Sequence, residues 1–252
     1  MSILNFAAAS YSNSAPLVEY ISQQNDNIKV KLGPPSSHVN QLLSGTVDCA
    51  LIPVVHLFNN PELRYFNNLG VAANGSVRSV LLQCNKPVDQ LVTVNKDPSS
   101  ATSNMLAQLI LQHYYNKSVE MTINSPSPDG RVIIGDKALF SNKPSYQNID
   151  LSECWKKLTN LPFVFAVWAV KKNNKEIDMI EKIITSAAKK GIHSISLIAK
   201  RYASQLGKTH SFWEEYLTKN IHFELNKEDL QGLNLFRDML YVNQILSSHT
   251  DA

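Results

Sequence analysis

The sequence predicts an α/β protein of two lobes, and three features of its patterning carry that expectation. Apolar runs of strand length alternate with helical segments of about ten residues, the pattern of parallel sheets with helical crossovers. A second run of the same kind starts near Gln90 and ends near Thr159, and helices fill most of the remaining chain.

Taken in order, residues 3–9 are a short apolar run that stops at Ser10-Tyr11-Ser12-Asn13-Ser14. Pro16, followed by Leu17, Tyr20 and Ile21, then marks a helix with proline in its first turn. IKVKLG alternates as a strand, Pro34-Pro35-Ser36-Ser37 punctuates, and Val39, Leu42 and Leu43 give a helix that Gly45 closes. CALIPVV reads as a buried strand. The loops at 10–13 and 34–37 then share one sheet edge, where open α/β sheets bind ligands.

GVAANGSVRSVLLQC predicts two strands joined at the hairpin-type dipeptide Asn74-Gly75, with Arg78 and Ser79 opening the second. LVTVN is a strand, 96–100 a loop, and Leu106, Leu109, Ile110 and Tyr114 keep a helical period. VEMTI and RVIIGD are further strands; Leu151, Trp155 and Leu158 form a short amphipathic turn before the strand LPFVFAVWAV. Two helices come next with Gly191 and Gly207 as their stops, Ser211 and Glu214 have capping-box spacing, and the last helix carries Leu230, Leu233, Phe236 and Leu240. The expected lobes are residues 1–86 with 172–252, and 87–171, with crossings near 83–90 and 163–171 and a ligand cleft between them.

Lys plus Arg exceed Asp plus Glu by 24 to 21, too small a surplus to imply nucleic acid. Hydrophobic residues at 44% and charged residues at 18% argue against disorder. Cys49, Cys84 and Cys154 are odd in number and lack CxxC spacing, so buried thiols are expected rather than a disulfide framework. The N-terminus lacks a basic leader region and no apolar run is long enough to span a bilayer, which predicts a cytoplasmic protein without membrane association. The histidines show no HxxxH or HxH spacing, so no metal site is expected. GxGxxG, GxxxxGK[ST] and GxSxG are absent. The basic segment AAKKGIHSISLIAKRYASQLG spaces its apolar residues as a core face, so a helix-turn-helix is disfavoured.

Five polar groups fall at predicted strand ends: Ser12 with Asn13, Ser36 with Ser37, Arg78 with Ser79, Ser100 with Thr102 and Ser103, and Gly135 with Asp136. Three precede helices, whose free N–H groups favour anions, so a small carboxylate ligand suits the set. Each group taken singly also reads as an ordinary helix cap, Asp136 above all. Arg78 reads equally as a surface charge or a carboxylate clamp.

The stretches YSNSAPL, GPPSSHVNQLLSGTVDCALIPV, GSVRSVLL, SSATSNMLAQLIL, IGDKAL and WKKLTNLPFVFAVWA, in this order, resemble the chorismate dehydratase family of menaquinone biosynthesis. The resemblance implies a periplasmic-binding-protein-like fold of type II and a cofactor-free hydro-lyase of the futalosine route, acting on chorismate. On the family pattern Asn13 and Ser79 take the catalytic positions. Ser12, Ser36, Ser37, Arg78, Ser100, Thr102, Ser103, Gly135 and Asp136 are the expected substrate contacts. Two departures stand out: Asn160 where glycine is common, and Ser36-Ser37-His38 in place of the usual Pro-Ser-Glu type of sequence. A solute-binding or sensor protein of the same fold is the alternative, though it would carry a secretion signal. A later enzyme of the route would use a histidine base, and only His38 falls in a site motif.

Overall fold

The computed structural model describes residues 3–141 and 147–246. β1 (Leu4–Ala9) leads through a 3-10 turn at Ser12–Ser14 into α1 (Ala15–Val18), β2 (Ile28–Gly33) into α2 (Pro35–Leu43), and β3 (Cys49–Pro53) into α3 (Val55–Phe58). β4 (Leu63–Ala73), β5 (Val80–Cys84), β6 (Thr93–Asn95), α4 (Ala101–His113), β7 (Glu120–Thr122) and β8 (Gly130–Ile134) follow. Next come α5 (Asp136–Leu139), β9 (Gln147–Asp150), α6 (Leu151–Thr159) and β10 (Phe163–Lys171). The chain finishes with α7 (Ile177–His193), α8 (Ile195–Leu206), α9 (His210–Glu215), β11 (His222–Glu224) and α10 (Lys227–Val242).

The strands form two mixed sheets, ordered β11-β4-β10-β3-β1-β2 and β7-β6-β8-β5-β9. β1 runs parallel to both β2 and β3, so the loops after all three leave from one edge of the first sheet. In the second sheet β6 is parallel to β7 and β8, while β5 is antiparallel to β8 and β9. The head of β5 therefore meets the ends of β8 and β9.

Two compact units result: Met1–Ala72 with Val164–Asn226, and Ala73–Phe163 with the chain from Lys227 onward. These boundaries differ from the expected ones at 86 and 171. β5 lies in the second sheet, and the expected return crossing, β10, is a central strand of the first. Asn74-Gly75 makes no hairpin, because β4 and β5 belong to different sheets. Gly75 at φ +115° and Arg78 at φ +62° instead bend a connecting strap.

In the first unit Val39, Leu42, Ala50 and Ile52 share a buried cluster, and Phe6 meets Trp168 edge to face at 6.1 Å. In the second, Trp155, Phe163 and Phe236 pack edge to face with centroids 4.8–5.8 Å apart. That cluster ties α10 to the second unit, against the expectation that it would join the first. A Cβ on Gly232 of α10 would lie 2.2 Å from the Pro162 carbonyl oxygen, so the helix backbone rests directly on Pro162.

α7 runs through Gly191 to His193 rather than stopping there. The glycine serves close approach: a Cβ at 191 would sit 1.9 Å from the Pro16 carbonyl oxygen in α1. Asn160 ends α6 in the left-handed conformation at φ +59°, which explains why glycine suits that position and why asparagine, tolerant of the same region, can replace it. Cys49, Cys84 and Cys154 are free and buried, as expected. Among the described residues no helix is long and apolar enough to cross a membrane. Gly191→Ala is expected to destabilise the protein by about 3 kcal/mol, the upper part of the usual cost of overpacking, because the clash is with backbone; a lowered urea midpoint at unchanged slope would show it.

Candidate functional site

In the first unit the loop after β1 is held by Ser14, whose hydroxyl is shared between the carbonyls of Ala9 (2.8 Å) and Tyr11 (2.9 Å). Ser12 is fully buried and engaged within the protein. Asn13 stands between them on the 3-10 turn, half-buried, and among the described residues its carboxamide has no hydrogen-bond partner. The turn is made rigid by its serines, and the asparagine is left available.

The Ser37 hydroxyl donates to the Pro34 carbonyl at 2.9 Å and accepts from Gln41, so it closes the first turn of α2 locally. Ser36 lies in the same turn; its side chain is outside what the structure describes. His38 is buried, with Nε2 near the place a Cβ on Gly33 would occupy. Burial holds the pKa of His38 below its ordinary value, against a smaller opposing pull from the Leu51 backbone, and burial does the same to His56.

The second unit gathers more of the expected residues. Val80 pairs with Ile134, and one residue further out the Gly135 N–H donates to the Ser79 carbonyl at 2.8 Å. Ser79 and Gly135-Asp136 are thus neighbours at one sheet edge, although the expected lobe boundary at 86 placed them in different lobes. Gly135 has φ +65° and ψ −150°, a conformation that needs glycine, and it turns the chain so that Asp136 opens α5. The end of β6 pairs with β8 at Asn95 and Arg131, which brings the start of α4 to the same edge.

At that start Ser100 is the N-cap: its oxygen accepts from the Ser103 N–H at 3.2 Å, and its hydroxyl donates to the Ser103 hydroxyl at 2.8 Å. The cap reading therefore holds for Ser100, while Ser103 keeps its own proton to donate. Thr102 is 1% exposed, and among the described residues its hydroxyl has no partner. Ser79 is wholly buried with the same lack. A buried hydroxyl left unpaired costs about 1–3 kcal/mol, which makes such groups notable.

The residue that sequence reasoning missed is Asp150. One carboxylate oxygen accepts from the Ser76 hydroxyl (2.8 Å) and the Arg78 N–H (2.7 Å). The other accepts from the N–H groups of Val77 (3.3 Å), Ser152 (3.1 Å) and Glu153 (3.1 Å). Asp150 caps α6 and at the same time pins the strap in which Arg78 adopts its left-handed backbone. The D-x-x-E spacing of Asp150 and Glu153 signals the cap, but the strap contact has no local signal. Among the described residues no group of three or more His, Cys, Asp or Glu could hold a metal ion.

Residues 4–242 match the profile of a family described as menaquinone biosynthesis. The chain belongs to that family. A chorismate dehydratase from Campylobacter jejuni is 31% identical over 241 residues, covering 92% of this chain and 95% of the relative. A chorismate dehydratase from Thermus thermophilus is 27% identical over 254 residues, covering 91% and 92%. Among solved structures, a Candida albicans protein described as having the generic periplasmic binding protein fold matches with TM-score 0.65 at 14% identity, over 100% of this chain and 93% of its own. The alkanesulfonate-binding protein SsuA from Xanthomonas axonopodis matches with TM-score 0.70 at 13% identity, over 97% and 94%. The fold of this family member is therefore periplasmic-binding-protein-like, as the sequence led one to expect.

Asp150→Ala removes a helix cap and three strap contacts together, so a loss of about 2–4 kcal/mol is expected in chemical denaturation. His38 and His56 both have folded pKa values below 6.5, so the unfolded chain takes up protons first as pH falls. Stability is expected to be complete above that value and to decline below it; His38→Leu should flatten the decline in urea titrations at pH 7.5 and 5.5.

Proposed function

We propose that the chain is a chorismate dehydratase, a hydro-lyase that converts chorismate to 3-[(1-carboxyvinyl)oxy]benzoate and water. The observation that carries this reading is the state of Ser79: end-to-end likeness to chorismate dehydratases coincides, at the VRSV motif, with a fully buried hydroxyl that has no partner of its own. Loss of the C3 proton and the C4 hydroxyl leaves an aromatic ring, so the elimination runs downhill. What it asks of a protein is orientation and polarisation, which placed amides and hydroxyls supply.

In this reading Asn13 and Ser79 are the catalytic pair. The Asn13 carboxamide hydrogen-bonds the reacting ring substituents, and Ser79 orients the enolpyruvyl side chain or the leaving hydroxyl. A carboxylate of the substrate accepts the C3 proton and passes it to the departing C4 hydroxyl, which leaves as water. Thr102 and Ser103, at the N-terminus of α4, contribute to carboxylate binding together with Arg78 and Gly135, while Asp136 orients a substrate hydroxyl. Ser12, Ser36, Ser37 and Ser100 belong to the same proposed set, with Ser37 and Ser100 supporting the turns rather than offering free hydroxyls. A cytoplasmic setting is part of the proposal and agrees with three free, buried thiols.

Purified protein incubated with chorismate, without added metal or nucleotide, is expected to yield a product lighter by one water in mass spectrometry. Asn13→Ala and Ser79→Ala should each lower kcat by at least about a hundredfold while leaving the thermal midpoint in place, the usual cost of removing a placed hydrogen-bond group. Unchanged chorismate at several pH values would favour the non-catalytic binding reading; near-normal turnover by either variant would remove that residue from the pair.

A further inference from the structure

Ser152 is the second residue of α6 and is 1% exposed, and among the described residues its hydroxyl has no hydrogen-bond partner. Its N–H and that of Val77 share one oxygen of Asp150, at 3.1 and 3.3 Å. The first turn of α6 therefore lies against the strap that delivers Ser79. The ladder sets the same edge: Leu81 pairs with Asp150, the residue that caps α6.

Two buried hydroxyls without a partner among the described residues thus stand at one sheet edge of the second unit. Thr102, second in α4, is a third of the same kind. α4 and α6 pack against each other, and both begin at this edge, where their first N–H groups favour negative charge. Asp150, two residues before Ser152, has its oxygens occupied by five donors. A folded protein keeps hydroxyls in this state when a ligand completes them, since otherwise they only destabilise it.

The geometry points to Ser152 as a substrate-binding residue: with Ser79, and with Thr102 as a third donor, it takes one carboxylate of a dicarboxylate substrate. The assignment rests on the dehydratase reading for the identity of that substrate. It adds a residue that the family motifs do not single out, and it gives the Ser79 hydroxyl a neighbour acting on the same oxygen pair.

The test uses the stable elimination product, 3-[(1-carboxyvinyl)oxy]benzoate, titrated calorimetrically into the unmodified protein and Ser152→Ala. Loss of a hydrogen bond to a charged group should weaken binding roughly ten- to hundredfold. The ligand-free thermal midpoint should hold or rise, because an unpaired buried hydroxyl has been removed. Unchanged affinity overturns the assignment, as does a midpoint lowered by several degrees, which would show that the hydroxyl has a partner inside the protein. If the unmodified protein dehydrates chorismate and Ser152→Ala binds product normally, the Ser152 assignment alone fails. If chorismate is not dehydrated but product binds and Ser152→Ala loses it, the reaction reading fails and the carboxylate subsite stands. Failure of product to bind the unmodified protein overturns the subsite.

Discussion

The second unit depends on the carboxylate of Asp150. Five donors converge on it: three from the strap at Ser76, Val77 and Arg78, and two from the first turn of α6. The strap has no regular structure of its own, and Arg78 sits in a backbone region that residues with side chains seldom enter. A single acidic side chain supplies what a sheet ladder or helix would otherwise give it. The head of β5, and Ser79 with it, is aimed by that arrangement.

The polar residues at the strand ends divide into those that build the edges and those that remain available. Ser14 and Ser37 are engaged with backbone carbonyls, and Ser100 with Ser103. Asn13, Ser79, Thr102 and Ser152 are left without such bonds. This division separates scaffold from chemistry more sharply than residue type could, since serine occurs in both groups. It also fits a reaction that needs fixed dipoles more than a strong base.

Much of the fold was legible because each element declared itself locally. IKVKLG alternates, GPPSSHV announces a helix start, and the strand RVII ends in the glycine its turn requires. The failures all involve partners distant in sequence. Asn74-Gly75 looks like a hairpin from either side, and only the contact of Arg78 with Asp150, 72 residues away, shows that the chain is changing sheets. Gly191 resembles a helix stop until the Pro16 carbonyl beneath it is seen. β9, QNID, has a single apolar residue and could not be read as a strand. For the site, the edge shared by Ser79 and Gly135 is hidden by the expected lobe boundary at 86, which parts them, and Ser152 is hidden because its significance lies in an absent hydrogen bond.

The aromatic cluster of Trp155, Phe163 and Phe236 has a consequence for the birth of the molecule. Its third ring arrives on α10, the last helix among the described residues, which must also settle its Gly232 onto Pro162. The first unit, although it holds the earliest residues, is complete once β11 has joined β4. On the ribosome the unit that begins first thus closes first, and the unit bearing Ser79 keeps an open hydrophobic face until α10 has emerged. Maturation of the proposed chemistry is therefore timed by α10, far along the chain from every residue that carries it.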